Sequence, residues 1–415
     1  MALPIALAGS SGSLTGFVVW NTSVYNWILS LPRRGSRTIL ILEHDAKTLL
    51  AKRGLPVPEG ALYAVAAPVA PDFPAPWVLK AQVPVGGRGK AGGIVFIPDR
   101  AALAATAHRL STLRIKGFPV EEIRIEAAVS DAREIYLGLV IDAATGRVSL
   151  LASATGGVEI EAEAGTGIHQ FSARPEAVEM TAALDDLAAA LPSDVAAAVR
   201  AAGEIAVAAF LDLDATLLEL NPIFLKGDGS WIAGDVRLDL DENALPRQPE
   251  FAALLDARPH AYAEAVFKRD HGFDLVIVDP EGEIGLVTTG AGLSMQLIDE
   301  MSRRGLRPYN FCDIRSGMMR GSPDRLIATL RQLCTAPRLR CVLVNIFAGI
   351  TDLGEFADLL LAARAAVPEL QVPMVVRMVG NGQERAEAIL GAAEGLELIP
   401  DLDRAVTRIA ALCDA

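Results

Sequence analysis

The order of apolar and polar residues changes character once along the chain, close to residue 250. Before that point, short apolar runs follow one another at hairpin distance, which is typical of antiparallel strands. Strands are predicted at 77–83, 93–97, 122–129, 134–142 and 148–153, with 216–225 and 231–239 joining the same sheet. A helical period of apolar residues predicts helices in HDAKTLLAKRG, which ends at Gly54, at 99–110 and within the alanine-rich segment 174–212.

Beyond the boundary marked by Pro246 and Pro249, apolar runs alternate with segments of helix length. The runs are LVIVD, IGLVTT, YNFCDI, CVLVNIF, PMVVRMV and LELIP. This alternation is typical of βαβ units and predicts a parallel sheet covered on both faces. The predicted fold class is therefore α/β, with an antiparallel part at 37–250 and a parallel part at 251–415.

Residues 1–36 belong to neither pattern. The apolar stretch GFVVWNTSVYNWILSLPRR is interrupted by polar residues, and no basic segment precedes it as a secretory signal would require. We expect an extension outside the folded body, with no role in membrane binding or export.

Composition narrows the class of partners. The 415 residues carry a net charge of −13, and no run of Lys or Arg exceeds two, so neither nucleic acid nor an anionic membrane is an expected partner. The four cysteines stand singly, without the C-x-x-C spacing of a zinc site. A reducing cytoplasm fits this pattern.

The segment VPVGGRGKAGG at 83–93 contains the spacing G-x-G-x-x-G at Gly87, Gly89 and Gly92. A dinucleotide fingerprint would need a helix after the glycines, whereas the β-branched IVFIPD follows them. A P-loop would need glycine at Pro84 and a hydroxyl residue after Lys90. The glycines therefore join two strands, either as a flexible hairpin or as a loop whose N–H groups cover phosphates.

Lys80 favours the phosphate-covering alternative. It lies inside the apolar strand WVLKAQV, directly before the glycine hairpin. A lysine in such surroundings needs an anionic partner, because burying an unpaired charge is costly.

Several longer segments carry a resemblance to a known family. In order they are HDAKTLLAKRGLPVP, PWVLKAQVPVGGRGKAGG, REIYLGLVID, ASATGGVEIE, ELNPI, NALPRQPE, GAGLSM and VLVNIFAGI. The set resembles the β subunit of succinyl-CoA synthetase and its relatives, the acyl-CoA ligases that form a nucleoside diphosphate. The resemblance covers about residues 43–415 and implies an ATP-grasp domain followed by a flavodoxin-like CoA-ligase domain.

The resemblance also implies a nucleotide site for ATP or GTP. The positions that match the family's phosphate-binding residues are Lys80, Gly87, Arg88 and Gly89, and those that match its adenosine site are Glu126, Val129 and Glu134. Cations at the phosphates would neutralise the charge that builds during phosphoryl transfer.

Asn221 and Asp235 match the family's Mg²⁺ ligands, and their oxygens suit a hard cation. Glu219 lies two residues before Asn221 in the predicted strand, so both side chains are expected on one face. We assign Glu219 a supporting catalytic role in phosphoryl transfer.

In the family's mechanism, the nucleotide phosphorylates a histidine, the phosphate passes to the acid, and CoA displaces it as a thioester. That histidine and most of the CoA site belong to an α-type subunit. The five histidines of this chain match no phosphohistidine motif, so the resemblance implies an α-type partner.

The acid side departs from the family pattern. Thr289 stands where asparagine is common, and the matching loop Gly349, Ile350 and Thr351 ends in another threonine. The small dicarboxylic acid that is bound is therefore succinate, malate or a related acid. In CDIRSGMMRGSP, Arg315 and Arg320 flank a turn that is richer in glycine in the family, and they either act as anion donors or block the transfer of phosphate.

Three functions remain open from the sequence. The leading prediction is the nucleotide- and acid-binding β subunit of an ADP-forming acid–CoA ligase. The alternatives are a chain like ATP-citrate lyase that uses a different acid, and a non-catalytic paralogue that binds nucleotide.

Overall fold

The computed structural model describes residues 38–157, 167–319 and 321–414. The predicted extension at 1–36 and Arg320 of the predicted turn lie outside these residues.

Antiparallel strands and helices alternate in the first part of the chain. In order, its strands and α-helices are β1 (Thr38–Ile41), α1 (Glu43–Ala51), β2 (Gly60–Ala64), β3 (Trp77–Gln82), β4 (Ile94–Ile97), α2 (Leu103–Ser111), β5 (Arg114–Ile115), β6 (Phe118–Pro119), β7 (Glu122–Ala127), β8 (Ala132–Asp142), β9 (Arg147–Ser153), β10 (Ile168–Ala173), α3 (Ala177–Ala189), α4 (Ser193–Asp212), β11 (Ala215–Lys226), β12 (Trp231–Ala233) and β13 (Val236–Asp241). Short 3₁₀ helices precede α2 at Arg100–Ala102 and follow β13 at Glu242–Arg247.

These strands form two large antiparallel sheets, so the prediction of one common sheet was wrong. The smaller sheet has the order β2-β7-β3-β4, and the larger has the order β1-β13-β11-β8-β9-β10, with β12 beside β11. Strand β7 is paired on both sides, with β2 and β3, so the next strand cannot pair with it as a hairpin. Asp131, with a φ of 53°, lies in the turn between β7 and β8.

The strand predicted at 231–239 is also divided. Gly234 and Asp235 separate β12 from β13, and both of their backbone N–H groups donate to the carbonyl of Pro222. The break leaves the Gly234 carbonyl and the Asp235 side chain free of the sheet ladder, and both contribute to the site described below.

The second part of the chain has the βαβ character that its sequence predicts. Its elements are α5 (Pro249–Ala257), α6 (Ala263–His271), β14 (Asp274–Ile277), β15 (Ile284–Thr288), α7 (Ala291–Arg303), β16 (Asn310–Asp313), α8 (Asp324–Leu333), β17 (Cys341–Ala348), α9 (Leu353–Ala365), β18 (Met374–Gly380), α10 (Gln383–Leu390), β19 (Leu396–Leu398) and α11 (Leu402–Asp414), with a 3₁₀ turn at Ser316–Met318.

Strands β15, β17, β18 and β19 form a parallel sheet, and both faces of the inner strand β17 are buried, as predicted. Val342, Val344 and Ile346 pack into one apolar cluster, and Leu343 packs into another on the opposite face. Burial on both faces explains the apolar run at 341–344 with which this strand begins.

The runs LVIVD and YNFCDI do not join the parallel sheet, contrary to prediction, because β14 and β16 pair with each other in an antiparallel ribbon. The Asn310 side chain accepts a hydrogen bond from the N–H of Leu286 (2.8 Å) and donates one to the carbonyl of Leu286 (2.9 Å). These two hydrogen bonds occupy the backbone N–H and carbonyl of Leu286, which a continuous ladder between β15 and β16 would use. Strand β16 still lies against β15, since Ile314 donates to the carbonyl of Thr288 (2.9 Å).

Candidate nucleotide and acid site

Strand alternation builds the first candidate site. Along β3 and β7, one face packs its apolar side chains into the core under α2, and the other face carries charged side chains. The apolar set includes Leu79, Ala81, Ile123 and Ile125, and the charged set is Lys80, Arg124 and Glu126. Lys80 lies directly opposite Arg124 in the strand register, and the charged face meets helix α1.

Lys80 is held by two carboxylates and a carbonyl. Its Nζ lies 2.9 Å from Glu43 Oε1 and 2.7 Å from Glu126 Oε1, and it donates to the carbonyl of Gly234 at 2.6 Å. The anionic partners expected for this lysine therefore come from the chain itself, one from α1 and one from β7.

Glu43 and Lys47 belong to the same cluster, although neither was predicted from the sequence. Lys47 is completely buried, and its Nζ lies 2.8 Å from Glu43 Oε1, 2.7 Å from Glu126 Oε2 and 2.7 Å from the Gly234 carbonyl. The i, i+4 spacing of Glu43 and Lys47 next to the apolar positions of α1 was the available signal. We define Glu43, Lys47, Lys80, Arg88, Arg124, Glu126 and Asp235 as the ion cluster.

The glycine hairpin extends the ion cluster through Arg88. The glycines join β3 to β4, as predicted, and Gly87 has a φ of 86°, which suits glycine alone. Arg88 extends from this loop and donates to Glu43 Oε2 at 2.7 Å and to Asp235 Oδ1 at 3.0 Å. Gly87 and Gly89 are exposed at the rim of the same loop.

Asn221 lies next to Glu219, as strand alternation predicted, and its backbone also contacts Asp235. The backbone N–H of Asn221 donates to the carbonyl of Asp235 (3.2 Å), and the Asn221 amide donates to Glu219 Oε1 (3.4 Å). Asn221 Oδ1 accepts a hydrogen bond from Gly157 at 2.7 Å. Strand β11 and the break between β12 and β13 thus present three oxygen-bearing side chains at the ion cluster, of which Asp235 is a member.

The predicted adenosine residues do not share one environment. Glu126 is 3% exposed, and its two oxygens are taken by Lys80, Lys47 and Arg124, so it lies within the ion cluster. Glu134 is exposed on β8, against Gly157, where an added Cβ would collide with its carboxylate. Val129 is half-buried two residues beyond the end of β7.

The charges of the site shift one another's pKa values. Burial raises the pKa of Glu43, but Lys47, Lys80 and Arg88 outweigh it and hold that pKa well below its usual value. Burial and the charge of Glu43 raise the pKa of Asp235 against the opposing effect of Arg88. Burial opposes the charged form of Lys80, yet the surrounding carboxylates raise its pKa.

His44 borders the ion cluster and stays neutral. Its Nδ1 lies 3.1 Å from a terminal nitrogen of Arg124, and the guanidinium must be the donor. Burial and the positive charge of Arg124 lower the pKa of His44 to about 4.

A second candidate site is the edge of the parallel sheet where strands β15 and β17 end. Thr289 follows β15, the loop Gly349–Thr351 follows β17, and Ser316 lies in the 3₁₀ turn after β16. Ser316 Oγ is 3.4 Å from Thr289 Oγ1 and 3.1 Å from Thr351 Oγ1. The structure therefore brings together the predicted acid-side loops, and adds Ser316, while Gly349 and Ile350 are exposed at the rim.

The guanidinium of Arg315 is paired with a carboxylate and is not left free to bind an anion at this edge. Its guanidinium contacts Asp274 Oδ2 at 3.0 Å on the neighbouring strand β14. Its backbone has a φ of 51°, a conformation that favours glycine.

In residues 38–157, 167–319 and 321–414, no helix is both long and apolar enough to cross a membrane. Within the same part of the chain, no three His, Cys, Asp or Glu side chains are grouped as a ready metal site.

Comparison with known families follows the same division of the chain. Residues 40–225 match the ATP-grasp domain and residues 287–408 match the CoA-ligase domain. The fold and the site thus define an ATP-grasp chain that continues into a CoA-ligase domain.

Sequence relatives identify the family more closely. The β subunit of ADP-forming succinate–CoA ligase from Chloroflexus aggregans is 38% identical over 86% of this chain and 94% of its own length. The β subunit of the same name from Edwardsiella ictaluri is 36% identical, again over 86% of this chain and 94% of its own length. This chain belongs to the family of β subunits of ADP-forming succinate–CoA ligases.

A solved structure with the same fold is ATP citrate lyase from Methanosaeta concilii, described with (3S)-citryl-CoA. It has a TM-score of 0.56 and 16% identity, and the match covers 90% of this chain and 99% of that one. At this identity the likeness supports the fold alone.

Proposed function

We propose that this chain is the nucleotide- and acid-binding β subunit of an ADP-forming carboxylic acid–CoA ligase. Residues 37–250 bind the nucleotide, and residues 251–415 bind the acid and receive the partner subunit. The observation that supports this most is the ion cluster, in which Lys80 and the hairpin residue Arg88 surround carboxylates beside Asn221 and Asp235.

In this proposal the nucleotide phosphates lie under the glycine hairpin. Lys80 and Arg88 supply positive charge, and the backbone of Gly87 and Gly89 approaches the phosphates without a side chain in the way. Lys80 is fixed by Glu43 and Glu126, so its ammonium group is positioned before the nucleotide arrives. Such prior positioning means that little reorganisation is needed during phosphoryl transfer.

Glu126 then acts on the nucleotide through Lys80, because its own oxygens are engaged within the cluster. Glu134 and Val129 line the nucleoside part of the bound nucleotide, which is ATP or GTP. Glu134 is the exposed carboxylate of the set and suits ribose hydroxyl groups.

The residues present fit a Mg²⁺ ion. Asn221 and Asp235 would contribute an amide and a carboxylate oxygen, and Glu219 would add a carboxylate next to Asn221, which are the hard oxygen donors that Mg²⁺ prefers. A bound Mg²⁺ would neutralise charge on the transferring phosphoryl group. Asn221 is oriented by Gly157, and Asp235 is oriented by the guanidinium of Arg88.

The phosphohistidine belongs to an α-type partner in this proposal, together with most of the CoA site. His44, which is nearest the ion cluster, is neutral and tied to Arg124. His271 packs on Phe267, with ring centroids 4.6 Å apart. The reaction is placed in the cytoplasm, where the four free cysteines remain reduced.

The acid binds at the edge formed by Thr289, Gly349, Ile350 and Thr351, with a small dicarboxylic acid as the substrate class. The α9 helix begins directly after this loop, at Leu353, and the α7 helix begins directly after Thr289 and Gly290. Their N-terminal dipoles favour negative charge at this edge.

The test is to co-express the chain with its α-type partner and to supply ATP, Mg²⁺, CoA and a panel of acids that includes succinate, malate and citrate. We expect ADP release and thioester formation with a dicarboxylic acid, and phosphate on the partner's histidine when CoA is omitted. Tight nucleotide binding without a thioester from any acid would refute the ligase and favour the non-catalytic alternative.

A further inference from the structure

Three hydroxyl groups form a chain at the acid edge. Ser316 Oγ stands in the middle, 3.4 Å from Thr289 Oγ1 and 3.1 Å from Thr351 Oγ1. Ser316 is buried, with 8% of its surface exposed, whereas both threonines are half-buried and border the open rim.

The three hydroxyl groups come from three separate loops. Thr289 follows β15, Ser316 follows β16, and Thr351 follows β17, so their meeting depends on the way these strands end at one edge. The edge is anchored below by a second hydroxyl pair, Thr288 and Ser294, whose oxygens are 2.6 Å apart. Ser294 also donates to the carbonyl of Cys312, which fixes the end of β16.

The turn that carries Ser316 contains a residue with a strained backbone. Arg315 adopts a left-handed conformation with a φ of 51°, which is unfavourable for a residue with a side chain. The turn is held by the N–H of Met318, which donates to the Arg315 carbonyl (2.8 Å), and by the ion pair of Arg315 with Asp274. These contacts direct Ser316 toward the two threonines.

The hydroxyl chain has more acceptors than donors. Each hydroxyl group carries one hydrogen and two lone pairs, so the three together have three donors and six acceptor positions. Two of the donors are used within the chain, which leaves one donor and several acceptor positions for a ligand at the rim. An ionised dicarboxylate has no donor, but one that carries a hydroxyl group has one.

We propose that Ser316 is a specificity-determining residue, and that Thr289, Ser316 and Thr351 together select a dicarboxylate that carries a hydroxyl group over the unsubstituted acid. The inference rests on the proposed function, because it assumes that this edge binds the acid. A site built to hydrogen-bond a substrate hydroxyl discriminates strongly against the analogue that lacks it, since its own polar groups then stay unpaired.

The experiment uses the complex of this chain with its α-type partner and compares kcat/KM for malate and succinate. We expect the wild type to prefer malate, and Ser316→Ala to lower the malate-to-succinate ratio by about tenfold, because one buried hydrogen-bond partner is lost. The KM for ATP should stay within about twofold, because the nucleotide site is built from other elements. Ser316→Thr, which keeps the hydroxyl group, should retain most of the preference.

Ser302→Ala is the matched control, because the Ser302 hydroxyl is bonded to the Ile298 carbonyl within its own helix. It should leave the ratio unchanged. If Ser316→Ala does not fold, Ser316→Gly makes the same comparison without a side chain in the turn.

A wild-type preference for succinate, or a ratio that Ser316→Ala and Ser316→Gly leave unchanged, would overturn this inference alone. No thioester from any acid would instead refute the proposed function. The two failures are therefore distinguishable.

Discussion

One terminal guanidinium nitrogen of Arg88 lies 3.0 and 3.1 Å from the two carboxylate oxygens of Asp235, so the glycine hairpin is tied directly to a predicted metal ligand. The other terminal nitrogen donates to Glu43 at 2.7 Å. The hairpin and the β12–β13 break thus meet through a single side chain.

Replacing Arg88 by glutamine should change two properties of the ligase complex. Phosphorylation of the partner's histidine should fall by about two orders of magnitude, since a cation at the transferring phosphate is lost. The Mg²⁺ concentration for half-maximal nucleotide binding should also fall, because Asp235 no longer pairs with a guanidinium. Titration of Mg²⁺ with a fluorescent nucleotide measures the second effect, and rapid-quench phosphorylation measures the first.

Arg109→Gln, at an exposed position on α2, is the charge-matched control for this experiment. An Arg88→Gln complex with wild-type phosphorylation and wild-type Mg²⁺ dependence would contradict the assigned role of the hairpin.

Lys80→Met should remove most of the affinity for nucleotide. Lys80 is the strand lysine that contacts Glu43 and Glu126, and the substitution leaves both carboxylates without one of their cations. We expect nucleotide affinity to fall by at least about a hundredfold, because charge-assisted contacts with phosphate are among the strongest polar interactions. Calorimetric titration with ATP checks the loss, and unchanged phosphorylation of the partner histidine would refute the assignment.

Lys47→Met tests the same cluster at its fully buried lysine. Lys47 contacts the same two carboxylates as Lys80 but is fully buried, so its loss should act on stability before it acts on binding. Removing one member of a buried charge cluster costs about 3–5 kcal/mol in the free energy of unfolding. Urea unfolding measures this cost, and exposed Lys52→Met serves as the control.

The contrast between the two lysines is the informative result. A folded Lys47→Met chain that keeps nucleotide affinity within about tenfold of the wild type would separate support of the cluster from contact with phosphate. Equal losses of affinity in both variants would show that both lysines contact the nucleotide.

His44→Asn should change the pH dependence of stability. The folded-state pKa of His44 is lowered from 6.5 to about 4 by burial and by Arg124, so the unfolded chain takes up a proton between these values while the native chain does not. Stability contributed by neutral His44 is therefore complete above about pH 6.5 and declines as the pH falls toward 4. The decline amounts to at most about 3 kcal/mol.

Asparagine can still accept from Arg124, so the variant should fold and lack this part of the decline. Free energies of unfolding between about pH 7 and about pH 4.5 provide the measurement, with exposed His108→Asn as the control. Parallel curves for the wild type and His44→Asn would mean that His44 titrates normally.

Much of the site could be predicted because it depends on strand alternation. Lys80 stands alone among apolar neighbours, and the period of two places it opposite the core residues Leu79 and Ala81. The same rule placed Glu219 beside Asn221, which the hydrogen bond between their side chains confirms.

Glu43 and Lys47 could not be predicted in the same way. On α1 their polar side chains would ordinarily face water, and nothing local shows that this helix lies across the charged face of β3 and β7. Glu126 was predicted as an adenosine-site residue, and its contacts depend on this packing, which occupies both of its oxygens.

The sequence by itself determined the α/β class, the change of character near residue 250, and the glycine hairpin between two strands, because each depends on local periodicity and backbone conformation. Only the tertiary structure decided that the antiparallel strands divide into two sheets, that two lysines share two buried carboxylates, and that Ser316 joins Thr289 and Thr351. These arrangements arise between segments far apart in the chain, where packing and the pairing of buried charges outweigh local preference.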